Sequence, residues 1–225
     1  MLFESRRVKL RKITKDDTEL YHKWRNDVEV MHSTSLSLDV YPKKATEEFV
    51  EYAILGSDTS KGYILVDKKS ETSIGIVSLI NMDYKNRNAE CIIDIGEKEY
   101  WGKGYGKEGL LLLLDYAFYE LNLHRVSLRV FSFNERAIHL YKKIGFELEG
   151  KSRQTLFRGG KWHDIIHMGI LQEEYFVKKK KHNRILDKNR SRKFLFLLLF
   201  LCLFSLHLCF RLFVLLVSKF FQFKS

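Results

Sequence analysis

Three glycines in five residues, Gly102-Lys103-Gly104-Tyr105-Gly106, separate two apolar runs of different period, and this junction restricts the fold more than any other stretch of the chain. Upstream, 89–95 reads as a strand that ends just before Gly96. Downstream, the apolar pattern 107–119 exceeds the length of an ordinary strand and reads as a buried helix. Glycine lets a backbone approach a ligand closely, and the free N–H groups of a helix's first turn make an anion site. Lys103 and Lys107 add charge at the rim. The stretch has no Gly-Lys-Ser/Thr ending, so it is not a Walker A loop. No regular βαβ repeat surrounds it, as a dinucleotide-binding fingerprint requires.

The rest of the chain alternates between strand-like and helix-like segments. Val8 to Ile13 alternates as a strand, and Thr14 with Asp17 three residues on has capping-box spacing for a helix through Leu20, Tyr21 and Trp24. Residues 26–45 read as an irregular or short-helical connection, and 46–55 as a helix with Phe49, Val50 and Ile54 inside. Strands are expected at 62–67 and 73–80 about the turn Asp67–Glu71, and again over 125–131. A short helix over 134–143 is closed by Gly145, and 146–157 with 162–171 form a hairpin around Arg158-Gly159-Gly160. The class is α+β: a mixed, mostly antiparallel, twisted sheet flanked by helices.

The formal charge of +11 is confined to one end. Residues 178–225 hold twelve Lys or Arg and one acid, Asp187, whereas 1–177 balance at 27 of each sign. A neutral domain has no overall field for a phosphate backbone, so no nucleic-acid partner is expected. Domain limits follow: a folded domain over 1–177, a basic linker over 178–193, a hydrophobic segment over 194–217 and a short tail over 218–225. Phe194 to Val217 is interrupted only by Ser205, His207 and Arg211. At about 1.5 Å per residue it is long enough for a bilayer core of roughly 30 Å. It reads either as a transmembrane or surface-lying helix, with the folded domain anchored at the membrane through 178–217, or as a non-native extension, or as a helix buried against a partner. Cys91, Cys202 and Cys209 make no disulfide framework, and the N-terminus carries no apolar run of the signal-peptide kind, so the folded domain is expected in the cytoplasm. No Cys/His grouping has metal-site spacing.

A second constellation, Asn134-Glu-Arg-Ala137-Ile-His-Leu-Tyr141-Lys-Lys-Ile-Gly145-Phe146, lies about 30 residues beyond the glycine turn. Together the two resemble the GNAT family of N-acetyltransferases, over nearly all of residues 4–176. Trp101 to Gly106 is similar to the family's Gln/Arg-x-x-Gly-x-Gly/Ala turn, and 134–146 to its Asn-x-x-Ala-x-x-Leu-Tyr-x-x-x-Gly-Phe segment. Trp101 departs from the pattern, and this leaves backbone N–H groups to grip the ligand there. Arg87 to Ile95 and Gly160 to Tyr175 resemble the group holding the spermidine/spermine and the ribosomal-protein N-acetyltransferases. The resemblance implies the GNAT fold and acetyl-CoA as cosubstrate, with no metal. It implies cofactor contacts from Ile92, Ile93, Asp94, Trp101, Gly102, Lys103, Gly104, Tyr105, Gly106, Lys107, Asn134, Ala137 and Tyr141.

It also implies Tyr141 as the acid beside the CoA sulfur, for which a phenol is chemically apt because it is neutral at rest. An alkylammonium must lose a proton before it attacks. Glu90 is the first choice for the base, with a salt-bridge partner as its rival reading; Asp94 is second and His163 third. Direct attack in a ternary complex needs no Cys nucleophile, so Cys91 reads as packing. Glu19, Asp27, Glu29 and Asp39 fall where acceptor residues of the family lie, interrupted by Lys23 and Arg25. The expected reaction is acetylation of a primary amine, a polyamine or a related small molecule. The alternatives are Nα-acetylation of a ribosomal or other protein, and a non-catalytic CoA-binding or membrane-tethered module. An oligomer is compatible with either enzyme.

Overall fold

The computed structural model describes residues 2–181, and the residues up to Tyr175 form one compact unit. Its centre is a seven-stranded sheet in the order β1-β2-β3-β4-β5-β7-β6. The strands are β1 (Val8–Lys12), β2 (Lys61–Asp67), β3 (Ser73–Asp83), β4 (Asn88–Ile95), β5 (Arg125–Phe131), β6 (Glu147–Arg158) and β7 (Lys161–Leu171). All neighbours run antiparallel except β4 and β5. The expected α+β sheet is therefore the one observed.

The helices ahead of β6 are α1 (Thr18–Arg25), α2 (Val28–His32), α3 (Lys43–Glu48), α4 (Tyr105–Asp115) and α5 (Glu135–Ile144), and a further helical stretch begins at residue 172. Two run longer than their α-helical parts, α3 continuing as a π-helix over Phe49–Leu55 and α4 over Tyr116–Glu120. The helix expected after Thr14 opens instead as a 3-10 turn, Lys15–Asp17. Asp17 Oδ2 accepts from the Thr14 N–H at 2.9 Å while both Asp17 oxygens accept from the Arg11 guanidinium, so the first turn is drawn back onto β1. The helix expected at 46–55 starts at Lys43, just past Pro42, whose φ of −64° already suits a helix entry.

The pleat of β4 sorts its side chains between two helical layers. A Cβ on Gly106 would lie 3.6 Å from Ile93 and Ile95, so that set faces α4. Asp94 stands opposite Ile76, which packs with Ile13, Trp24, Ile64 and Val66 under Leu20 and Tyr21, so Asp94 shares the face covered by α1. Two residues further, a Cβ on Gly96 would sit 2.2 Å from the Trp24 ring. Only glycine admits that helix at that distance.

Among the described residues no helix is long and apolar enough to cross a membrane. This overturns the expected transmembrane helix, and with it membrane association through 178–217 and a membrane-anchored location. The hydrophobic stretch 194–217 that prompted them lies outside the described residues, as do the short tail 218–225 and all but the start of the basic linker.

Candidate active site

A cleft opens where the one parallel pair stops. β4 and β5 are paired only from Asn88↔Arg125 to Glu90↔Ser127. Beyond Glu90, β4 stays on β3 as far as Ile95↔Gly75, while β5 stays on β7 as far as Phe131↔Ile165. The strands part, and the backbone of 91–95 faces the gap with no strand beside it. An extended ligand finds hydrogen-bonding groups there. Ile92 is 36% exposed although it lies mid-strand, so it forms apolar wall, not core.

At the end of β4 the glycine turn swings into α4. Gly102 has φ 72° and Gly104 φ 86°, the left-handed region that a side chain strains to adopt. Gly104 caps α4, and the first four N–H groups of a helix have no partner within it. Here the departure at Trp101 finds its use: its indole N–H donates to the Ile95 carbonyl at 2.8 Å, pinning the turn to the strand it leaves. Arg7 braces the other flank, donating from Nη1 to the Lys103 carbonyl at 3.0 Å and from Nε to Glu108 at 2.6 Å. Ser5 also donates to Glu108, and the Arg7 guanidinium lies 4.7 Å from the Tyr105 ring. Arg136, at the start of α5, rests 5.0 Å over Trp101. With the Glu108 charge taken up by Arg7, the remaining cations around the turn suit a pyrophosphate.

Asn134 caps α5, its Oδ1 accepting from the Ala137 N–H at 3.1 Å, and its Nδ2 donates to the Ser33 carbonyl at 3.4 Å. The cap thereby ties the α5 start to the segment after α2. Two turns on, Tyr141 is buried against Phe146. Burial pushes its phenol well above the ordinary range, with further contributions from Cys91 and Asp94 nearby. Burial also drives up the Cys91 thiol, which leaves it a neutral packing group without nucleophilic character. Asp94 has its carboxyl pushed up to about 6, again by burial.

Glu90 is placed differently. Its Oε1 accepts from Arg129 Nε at 2.7 Å and its Oε2 from Asn81 Nδ2 at 3.4 Å. That is the salt-bridge reading of this residue, and it leaves Asp94 as the carboxylate with the environment of a base. His163 is occupied too, its Nε2 lying 3.3 Å from the Arg158 carbonyl and its ring set edge-on to Phe133.

The acids of the acceptor side are largely spoken for. Glu19 pairs with Lys43, and Lys98 bridges Asp27 and Glu29 at 3.0 and 2.9 Å. Asp27 caps α2 as well. Among the described residues no group of three or more His, Cys, Asp or Glu side chains is arranged to hold a metal ion.

Sequence reasoning passed over Arg7, Glu108 and the aromatic setting of Arg25. Arg7 acts on residues about a hundred positions away, which no spacing rule reaches. Arg136 carried a usable signal, since it lies inside the Asn134–Phe146 constellation.

Residues 7–147 match the acetyltransferase (GNAT) domain family. The chain is 33% identical over 185 residues to the spermidine N(1)-acetyltransferase of Escherichia coli (strain K12), covering 80% of this chain and 95% of that one. It is 39% identical over 101 residues to a putative ribosomal N-acetyltransferase of Bacillus subtilis (strain 168), covering 45% and 55% of the two chains. The crystal structure of spermidine N-acetyltransferase from Vibrio cholerae in complex with CoA and spermine superposes with a TM-score of 0.69 at 30% identity, covering 75% of this chain and 98% of that one.

Proposed function

For this chain, which belongs to the acetyltransferase (GNAT) family, we propose that the amine acetylated from acetyl-CoA is a polyamine of the spermidine or spermine kind. The observation that carries the chemistry is the parting of β4 and β5 beside a backbone-built anion turn, with Tyr141 buried on α5 and Asp94 half-buried on the stretch of β4 where the strands separate. The substrate class is supported by the E. coli relative, which matches this chain over nearly its whole length, and by the Vibrio cholerae structure. The putative ribosomal enzyme matches over a shorter stretch.

In the mechanism we draw, the Gly102–Gly106 turn and the α4 N–H groups hold the pyrophosphate, and the free edge of 91–95 aligns the arm that leads to the thioester. Trp101 and Arg7 keep the turn in shape before anything binds. Asp94, ionised above about pH 6, takes the proton of the substrate ammonium. The freed amine attacks the thioester carbonyl; the C–N bond forms, the C–S bond breaks, and the nitrogen gives up its extra proton to water as the amide forms. Tyr141 gives its proton to the departing thiolate and is reprotonated from solvent, as its raised phenol favours. Most of the rate comes from holding amine and thioester in one geometry, which is worth up to ~7–11 kcal/mol in well-oriented systems.

A thiol-release assay with acetyl-CoA against spermidine, spermine and N-terminal peptides of ribosomal proteins tests the reading. Turnover of the polyamines is expected. Turnover of peptides alone would replace the polyamine with a protein N-terminus.

A further inference from the structure

Arg158, the last residue of β6, is the one buried cation among the described residues, 7% exposed, and no described carboxylate pairs with it. Its guanidinium is directed at backbone carbonyls instead. Nη1 donates to His32 at 3.0 Å, and Nη2 to Ser35 at 2.8 Å and to Leu36 at 3.3 Å. His32 ends α2, and the last carbonyls of a helix have no partner within it. With five residues, α2 is too short to stand by itself and depends on such outside contacts. Burying a charge that meets no carboxylate adds little to stability, so what Arg158 secures is the place of segment 32–36. That place is the mouth of the cleft. Within the segment the Ser33 carbonyl accepts from Asn134 Nδ2 at 3.4 Å, and the His32 ring lies 5.3 Å from that of Phe133. Phe133 and Asn134 follow directly on the end of β5, which by then has parted from β4. Asn134 in turn caps α5, the helix that carries Tyr141. One run of contacts therefore leads from the β6–β7 hairpin through 32–36 to the start of α5.

We propose that Arg158 is a positioning residue for the acceptor amine: from the far hairpin it fixes segment 32–36 at the end of β5, on the side of the gap opposite the β4 edge assigned to the cofactor. Without its three bonds the segment keeps only the long Asn134 contact and the ring contact of His32 to hold it there, and the amine loses a fixed wall against which to align. The inference rests on the acetyl-transfer reading above and concerns its acceptor step alone.

The test compares wild type with Arg158→Met, which keeps much of the volume and removes the donors, in steady-state kinetics with spermidine and acetyl-CoA and in amide hydrogen exchange. Arg158→Met should raise KM for spermidine about tenfold, with kcat and KM for acetyl-CoA within about twofold of wild type. Exchange over 32–36 should quicken at least tenfold while that of α4 stays put. An unchanged KM for spermidine overturns the proposal, as does a fall in kcat with both KM values constant, because a merely structural arginine changes only the amount of active enzyme. An equal rise in KM for acetyl-CoA overturns it too, and so does a raised KM for spermidine with exchange unaltered. If wild type leaves spermidine untouched, the polyamine reading has failed, and the same comparison passes to the peptide amine that it does acetylate. Should Arg158→Met not fold, as judged by circular dichroism, Arg158→Lys keeps the charge, loses the fork and carries the same measurements, with a rise in KM of about threefold.

Discussion

The two walls of the cleft are made by different means. The cofactor wall is mostly backbone: a strand edge, a left-handed turn and the first turn of a helix, contributed by the continuous stretch 91–107. On the α1 side the construction is side chain, a cluster of Tyr21 and Arg25 on α1, Tyr41 in the connection and Phe49 at the start of the π-helix. Backbone donors serve any ligand with a pyrophosphate and change little when residues are exchanged. A wall of side chains changes with every substitution. The contrast suits an enzyme whose acetyl donor is constant and whose acceptor distinguishes it from its relatives.

The contrast is open to attack at four points. The largest effect belongs to the chemistry between the walls. Tyr141→Phe removes a buried proton donor without altering either wall, and we expect kcat to fall by about 10²- to 10⁴-fold in the thiol-release assay, with both KM values nearly constant. An unchanged kcat would remove Tyr141 from the reaction.

Next comes Asp94, whose carboxyl is pushed up to about 6 by burial. Because the ionised form is the disfavoured one, the folded state holds a proton that the unfolded chain has already released. The cost of ionising it is absent below about pH 3, grows as pH rises from about 4 to about 6, and is then constant, at most about 3 kcal/mol. Asp94→Asn should therefore raise Tm at pH 8 and have no effect on Tm below about pH 3. The same variant should lower kcat/KM about a hundredfold at pH 8 and abolish its rise through pH 6. A loss of activity with no change in the pH profile would make Asp94 a structural group.

Gly104→Ala addresses the cofactor wall alone. Its φ of 86° costs a side chain about 1–3 kcal/mol, so KM for acetyl-CoA should rise roughly tenfold while kcat and the preference among amines stay put. If amine preference moved as well, the two walls would not be separable. The smallest effect is expected of Glu90→Gln. With its carboxylate committed to Arg129, itself partly exposed, activity should change less than about threefold and stability by at most about 1 kcal/mol. A hundredfold loss would instead restore Glu90 as the base.

What the sequence made legible follows the same division. The strand, the glycine turn and the long helix were readable because each depends on neighbours a few residues away, and Asn134 caps α5 as its spacing requires. The sheet class followed from those elements. The choice between Glu90 and Asp94 did not, because they lie four apart on one strand face; the contact from Arg129, on the neighbouring strand, and the burial around Asp94 set their surroundings apart. At Thr14 the capping box with Asp17 forms as its spacing requires, but the 3-10 form of that first turn was not legible, since Arg11, on β1, also holds Asp17. Arg7 and the Arg25 sandwich depend wholly on contacts between distant segments, and no local pattern encodes them.

The bond from the Trp101 indole to the Ile95 carbonyl has a kinetic consequence. It closes the chain over residues 95–101 and so fixes the point from which the glycine-rich turn starts, so that part of the ordering entropy is spent during folding and not on each encounter with ligand. Association of acetyl-CoA should then be governed by diffusion and charge, with no slow rearrangement behind it. Replacing the indole with a side chain that cannot donate would appear first as a second, ligand-independent phase in the binding time course.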